Sequence, residues 1–394
     1  MLENTESEIY KKLQVVTDLV SGLALAIILQ TSLRLPFLGV GFGEIILLIC
    51  TLSGLLMTVW LWREGRKTEW RSFRSWGLSC VMAYIAAGLL PSTLYHASVG
   101  IPGVSLRDWV AYAFCAAFLC SIGFRPTNYR LLGWALVGGV IAFWLGSLFF
   151  GSSDIWYYER FRGWAANPNQ IALYALCGLV LLVSDERPLP LAIAAAACIA
   201  VFGYLSKSDA LIVGLAVFIS ATVFALLVPV NRFRQRTPWV LLALVIFCLV
   251  FRSHLHDLVM SLWTVADNES ARVFLYVHGI EAWLSSWSSF VFGLGAGSYS
   301  GVDSPFQGVE AHNSIIDALT IGGLPMLVAV YVFPVASLIL AYRKGLRLLF
   351  GVLSALLAFT LFHYVARQPI YWVASYGALV YLTLPRFLGS RRVN

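Results

Sequence analysis

Charge is scarce in this sequence. Of 394 residues, 12% are Asp, Glu, Lys or Arg, against 59% hydrophobic. Such a chain is not a soluble domain. Carboxylates are rarer still inside the apolar stretches: Glu44, Asp108, Asp154 and Asp209 all fall at their ends. An ion-coupled pump normally keeps acids near the bilayer midplane, so this scarcity counts against one. All seven cysteines lie within apolar stretches and none in a loop, which argues against a disulfide framework or a Cys-based metal site. They read as small buried apolar residues. There is no low-complexity segment, no repeat of fixed period, and no visible inverted repeat of the transporter kind. Residues 1–17 are polar and amphipathic, and no A-x-A site follows the first apolar run, so that run is expected to be a retained span.

What is abundant is long, unbroken apolar sequence. Runs at 45–62, 131–150, 189–205 and 210–230 can each cross roughly 30 Å of hydrocarbon as a helix. Lipid offers no hydrogen-bond partners, so spans are helices or a closed barrel, and runs without alternation are helices. The expected fold is an all-α polytopic integral membrane protein with about 12 spans: 13–33, 44–62, 76–95, 108–124, 129–150, 169–184, 188–206, 209–230, 238–251, 322–342, 346–364 and 370–385. Alternate connections and both tails hold 19 of the 27 Lys and Arg. The positive-inside rule therefore puts both termini in the cytoplasm and reads the net charge of +7 as topology rather than nucleic-acid binding. Three regions follow: spans one to nine (1–251), one large outer loop with short helices (252–313), and spans ten to twelve with the tail (314–394).

Within that outer loop, 255–265 is amphipathic enough to lie against the bilayer, and Asp267 to Ser270 supply N-caps for a helix over 271–285. Spacing puts Arg272, Tyr276, Gly279 and Trp283 near one face of it. FGLGAGSYSG (292–301) then breaks the helix. As a phosphate-cradling loop it is weak, because no strand precedes it; a turn that brings backbone close to something is the better reading. Next comes EAHNSIIDAL (310–319), a polar quartet running into an apolar helix. Ser314 and Asp317 fit a capping box. His312 then stands just outside a helix start that favours a bound anion, and Gly322, Gly323 and Pro325 end or bend the helix.

A histidine side chain titrates near neutrality, so His312, with Glu310 and Asn313 beside it, is placed to accept a proton from an attacking hydroxyl. Glu310 either orients the imidazole or keeps the loop solvated. The other histidines lack such company; His254 and His256 are a pair without the carboxylates that would complete a metal site. Arg272 is disfavoured in a first helical turn by the dipole, so it is either a salt-bridge partner of Glu269 or headgroups, or a bidentate clamp on phosphate oxygens. The remaining outer cations include Arg160, Arg162, Lys207 and Arg367. Lys207 and Arg367 sit at span ends, where a cation either snorkels or lines a cavity. Trp156, Tyr157 and Tyr158 fit an interfacial belt or a surface that stacks sugar rings.

Four pieces in order carry a family resemblance: Arg162-Gly163 with Asn167-Pro168-Asn169; Leu205-Ser-Lys-Ser-Asp-Ala-Leu; Ser270-Ala-Arg272 with Gly293-Leu-Gly295; and Ala311-His312-Asn313-Ser314 running to Gly322-Gly323. Over residues 150–345 the chain resembles the bacterial O-antigen ligase and polymerase superfamily, membrane glycosyltransferases acting on undecaprenyl-pyrophosphate-linked glycans. The resemblance implies that His312 assists the acceptor hydroxyl, that Arg272 holds the pyrophosphate, and that the anomeric centre inverts without a metal or cofactor. Arg160, Arg162, Lys207, Asn169, Tyr276, Asn313 and Arg367 are the expected substrate-binding set, and Glu310 joins His312 and Arg272 as catalytic. The implied partners are the lipid-linked glycan, membrane lipid and a chain-length regulator. The implied location is the bacterial inner membrane, with the site on the periplasmic face. Where ligases of the family carry arginine, this chain has Lys207, which favours the polymerase branch over the ligase. A non-enzymatic transporter or flippase is the rival from another class; it would show repeated halves and a cation-rich central cavity.

Overall fold

The computed structural model describes residues 2–30, 41–63, 73–101, 103–123, 129–151, 153–184, 190–233, 235–236, 239, 269–299 and 309–383. Side chains are described for these except 2–11, 61–62, 73–76, 123, 153, 191–192 and 269–273. The described chain is mostly helical. In order come α1 (Leu2–Ile28), α2 (Phe42–Arg63), α3 (Phe73–Ala83), a π-helical turn (Tyr84–Gly88), α4 (Leu89–Ser98), α5 (Leu106–Gly123) and α6 (Tyr129–Phe150). A hairpin of two-residue strands, β1 (Trp156–Tyr157) and β2 (Arg160–Phe161), leads to α7 (Pro168–Ser184), α8 (Pro190–Leu205) and α9 (Asp209–Leu227). After them follow α10 (Glu269–Leu284), α11 (Trp287–Phe292), α12 (Ser314–Arg343), α13 (Arg347–Phe359) and α14 (Pro369–Thr383).

Among the described residues, five stretches are long and apolar enough to cross a membrane: Phe42–Trp60, Gly77–Ser98, Tyr129–Phe150, Asp209–Leu227 and Ser314–Arg343. The helices Pro168–Ser184, Ile193–Leu205 and Arg347–Phe359 are apolar but shorter. An all-α fold with helices long and apolar enough for a membrane is thus the observed class. The ninth expected span, 238–251, lies outside the described residues apart from Trp239, as do Cys248, His254 and His256.

Burial separates inner from outer helices. Nearly every residue of α7 and α14 is buried, as expected for helices apolar all round and surrounded by others. In α12 the exposed residues Val328, Val332, Val335 and Ile339 recur at i, i+4, i+7 and i+11, one stripe turned outward, while Met326, Val330, Phe333 and Ser337 turn inward. α1 packs on α2 and α6, α9 on α13, and α14 on α7 and α12. Of the described cysteines, Cys50, Cys115 and Cys177 are buried, Cys120 and Cys198 half-buried, and Cys80 exposed, so burial holds for only part of the set.

Two boundary differences from the sequence reading bear on the site. The expected span 322–342 is the second part of α12, which starts at Ser314 and bends at Gly322 (φ −138) and Gly323 (φ +61). Pro325 has no amide hydrogen, so the Ile321 carbonyl cannot find its helical partner. The glycine loop after α11 supplies one: Leu294 N–H donates to Thr320 O at 2.7 Å and Gly295 N–H to Ile321 O at 2.9 Å. The Ser298 hydroxyl reaches Thr320 O at 3.1 Å, and the Tyr84 hydroxyl takes Gly322 O. The close approach expected of FGLGAG is therefore to the broken backbone of α12. The second difference is that α13 stops at Phe359 instead of running through 364. Tight turns (Leu361 N–H to Ala358 O, Phe362 N–H to Phe359 O) close it and release 360–368 as a loop.

Candidate active site

The polar quartet and the released loop meet. The α12 helix is capped by Asn313, whose side-chain oxygen accepts from Ile315 N–H at 3.0 Å and Ile316 N–H at 3.3 Å. Ser314 is not the cap. Its hydroxyl donates to His363 O and accepts from Val365 N–H at 3.2 Å, while its amide donates to Thr360 O at 2.8 Å. The expected capping box is replaced by a different use of Asp317: its Oδ1 accepts from Ala311 N–H at 2.8 Å and its Oδ2 from Asn313 N–H at 3.2 Å. Asp317 N–H itself donates to Asn313 O. Every amide of the first turn is thus committed within the protein, and this helix start is not an open anion site. That corrects the sequence reading: short polar side chains compete for the same donors a phosphate would use.

His312, between those two clamped amides, has φ +56. A left-handed conformation costs a non-glycine residue roughly 1–2 kcal/mol, so the surrounding bonds hold it there. Its imidazole lies edge-to-face with that of His363, with ring centroids 5.8 Å apart. On the other side of the turn, Ala311 is buried with Leu275 and Ile316, and Tyr276 packs against them. Gly279 also faces Ile316. So α10 presents Tyr276 and Gly279, which its spacing places near one face, to the start of α12. Arg272 belongs to this helix, but its side chain lies outside the described residues.

Glu310 turns to Arg367. It takes Arg367 Nη2, while Arg367 Nη1 donates to Asp108 Oδ1 at 2.9 Å. Asp108 Oδ2 in turn accepts from the Ser105 hydroxyl at 3.0 Å. The guanidinium carbon stands 5.2 Å from the centroid of Tyr299, and the Tyr112 and Tyr364 hydroxyls share a bond of 2.7 Å nearby. Two carboxylates more than offset one guanidinium, so the Arg367 charge is already committed within the protein. Burial pushes the Tyr299 and Tyr364 phenols well above the ordinary tyrosine value, so both stay neutral.

A second cluster surrounds the hairpin. Arg160 donates to Asn169 Oδ1 at 2.7 Å and to Ser206 O at 3.0 Å, bracing β2 on α7 and on the α8–α9 turn. Lys207, with φ +45, pairs with Glu159 at 3.1 Å. Arg162 Nε donates to Asp154 O at 2.7 Å, and its guanidinium lies 5.9 Å from the Tyr157 ring centre. The turn residues Tyr158 (φ +46) and Glu159 (φ +62) are both left-handed, and the Tyr158 ring is 84% exposed at the tip.

The structure therefore joins Glu310, His312, Asn313, Tyr276 and Arg367 in one place, and Arg160, Arg162, Asn169 and Lys207 in another. Sequence reasoning missed Asp108, Asp317, His363 and Tyr299 as site neighbours. Asp317 alone gave a signal, its spacing from Ser314, and that signal pointed to the wrong partner. Neither a protein-family model nor a curated protein matches the chain.

Proposed function

We propose that this chain is a membrane glycosyltransferase using a polyprenyl-pyrophosphate glycan donor, working as a polymerase of lipid-linked repeat units. The observation that carries the reading is His312. It is held left-handed at a helix start, beside a second imidazole and a carboxylate–guanidinium bridge, at the rim of an apolar helical bundle. The order of the four motifs supplies the substrate class. In this reading the chain has twelve spans with both termini in the cytoplasm of a bacterial inner membrane. In the same reading, alternating up-and-down spans put the ends of α4, α6, α8 and α13 and the starts of α5, α7, α9, α12 and α14 on the periplasmic side, and both clusters with them.

The chemistry follows from the residues. A hydroxyl of the acceptor sugar gives its proton to the His312 imidazole as its oxygen bonds to the anomeric carbon of the donor. The bond from that carbon to the pyrophosphate oxygen breaks on the opposite side, and undecaprenyl pyrophosphate leaves with the electron pair. Arg272, and the cations around the hairpin, meet the negative charge that develops on the leaving group.

Purified protein given an undecaprenyl-pyrophosphate oligosaccharide should release undecaprenyl pyrophosphate and lengthen the glycan. His312→Ala should lower turnover by about 10²–10⁴-fold; full turnover in His312→Ala and Arg272→Ala would sink the mechanism. The same donor tested alone and with lipid A-core separates polymerase from ligase. Transport of the donor without any bond breaking would favour the flippase.

A further inference from the structure

We propose that Asp317 is the positioning residue of His312: its buried carboxylate fills the nest made by the amides on either side of the histidine and so fixes the direction in which the imidazole leaves the backbone. A left-handed residue turns the N–H groups flanking it to one side, where they form a concavity that suits an anion. Here the acceptor is internal. Asp317 is 0% exposed, and its two oxygens take the two amides separately, Ala311 N–H on Oδ1 and Asn313 N–H on Oδ2.

A purely structural role is the competing explanation, and the neighbouring bonds argue against it. The helix start is already capped by Asn313, and Ser314 N–H is already taken by Thr360 O. The carboxylate is not needed to begin α12. A buried carboxylate is costly unless its hydrogen bonds are specific, and both of the bonds given to this one end on the residues adjoining His312. Asp317 does not itself face substrate; it acts through the turn. The consequence for turnover rests on the glycosyltransferase reading, whereas the consequence for the imidazole does not.

The test uses the full chain in detergent. Asp317→Asn keeps the size but turns one acceptor into a donor facing an N–H. The first measurement is the rate of His312 modification by diethyl pyrocarbonate, mapped by peptide mass spectrometry, with His278 on α10 as reference. A change of more than about threefold at His312 and none at His278 is expected, since reactivity follows the exposure and proton affinity of the ring. Equal rates at His312 overturn the proposal. The second is glycosyl transfer. Asp317→Asn should lower kcat by about 10- to 100-fold with KM nearly kept, and should add nothing on a His312→Ala background. Loss of the same factor on both backgrounds overturns a role through His312. A wild type without transfer activity would defeat the functional reading and leave the modification experiment to decide Asp317. Should Asp317→Asn fail to fold, amide exchange in the wild type decides: slow exchange at Ala311 and Asn313 is required, and fast exchange at both overturns the clamp.

Discussion

Arg367 Nη1 donates to Asp108 Oδ1 at 2.9 Å, fastening the loop before α14 to the first turn of α5. With Glu310 on the other nitrogen, one side chain ties three segments that are far apart in sequence. A planar fork can serve two carboxylates at once; an ammonium cannot do so with the same geometry. Arg367→Lys should therefore lower stability by about 2 kcal/mol, because each carboxylate is only partly exposed and loses a charged donor. Thermal unfolding in detergent measures this, and an unchanged midpoint would show that the bridge is not holding the loops.

The glycine loop and the bend in α12 make a matched pair of substitutions possible. Gly323 and Gly345 both have positive φ, +61 and +70. A Cβ at Gly345 meets nothing within 4 Å, whereas one at Gly323 runs into the Val291 carbonyl and the Phe292 amide. Gly345→Ala should cost about 1 kcal/mol, the conformational term alone. Gly323→Ala should cost about 3 kcal/mol or more, since backbone must move. Equal midpoints for the two variants would contradict the docking of the loop onto α12.

The hairpin tip stores strain that substitution can release. Tyr158 is left-handed and largely exposed, so little packing is lost on replacing it. Asn tolerates that conformation, and Tyr158→Asn should stabilise the protein by about 0.5–1 kcal/mol. A lower unfolding midpoint would mean that the ring contributes more to the hairpin than its exposure indicates.

Tyr364 tests the neutral phenol cluster. Its hydroxyl bonds that of Tyr112, and burial raises its pKa above the ordinary tyrosine range. Tyr364→Phe should cost about 1 kcal/mol at neutral pH and leave the pH–rate profile unaltered below about pH 9. A phenol with a raised pKa keeps its proton in the folded protein after the unfolded chain has lost it. Stability from the cluster is therefore present below about pH 10 and declines above it. A shift of the alkaline limb of turnover in Tyr364→Phe would contradict a neutral, structural phenol.

The sequence by itself determined the all-α class, the apolar stretches long enough for a membrane and most of the helices. Unbroken apolar runs can only be helices in lipid, and a helix start at residues 313–314 was legible, although the cap is Asn313 and not the Ser314 of a capping box. Gly322, Gly323 and Pro325 announced the bend because glycine conformation and a missing amide are properties of single residues. Only the tertiary structure decided the partners. Arg367 and Glu310, His363 and His312, and Arg160 and Ser206 come together through helix packing, and no local spacing encodes those pairs. Asp317 shows the boundary between the two. Its distance from the helix start was legible, but which amides its carboxylate takes depends on the left-handed turn at His312, which no local spacing encodes.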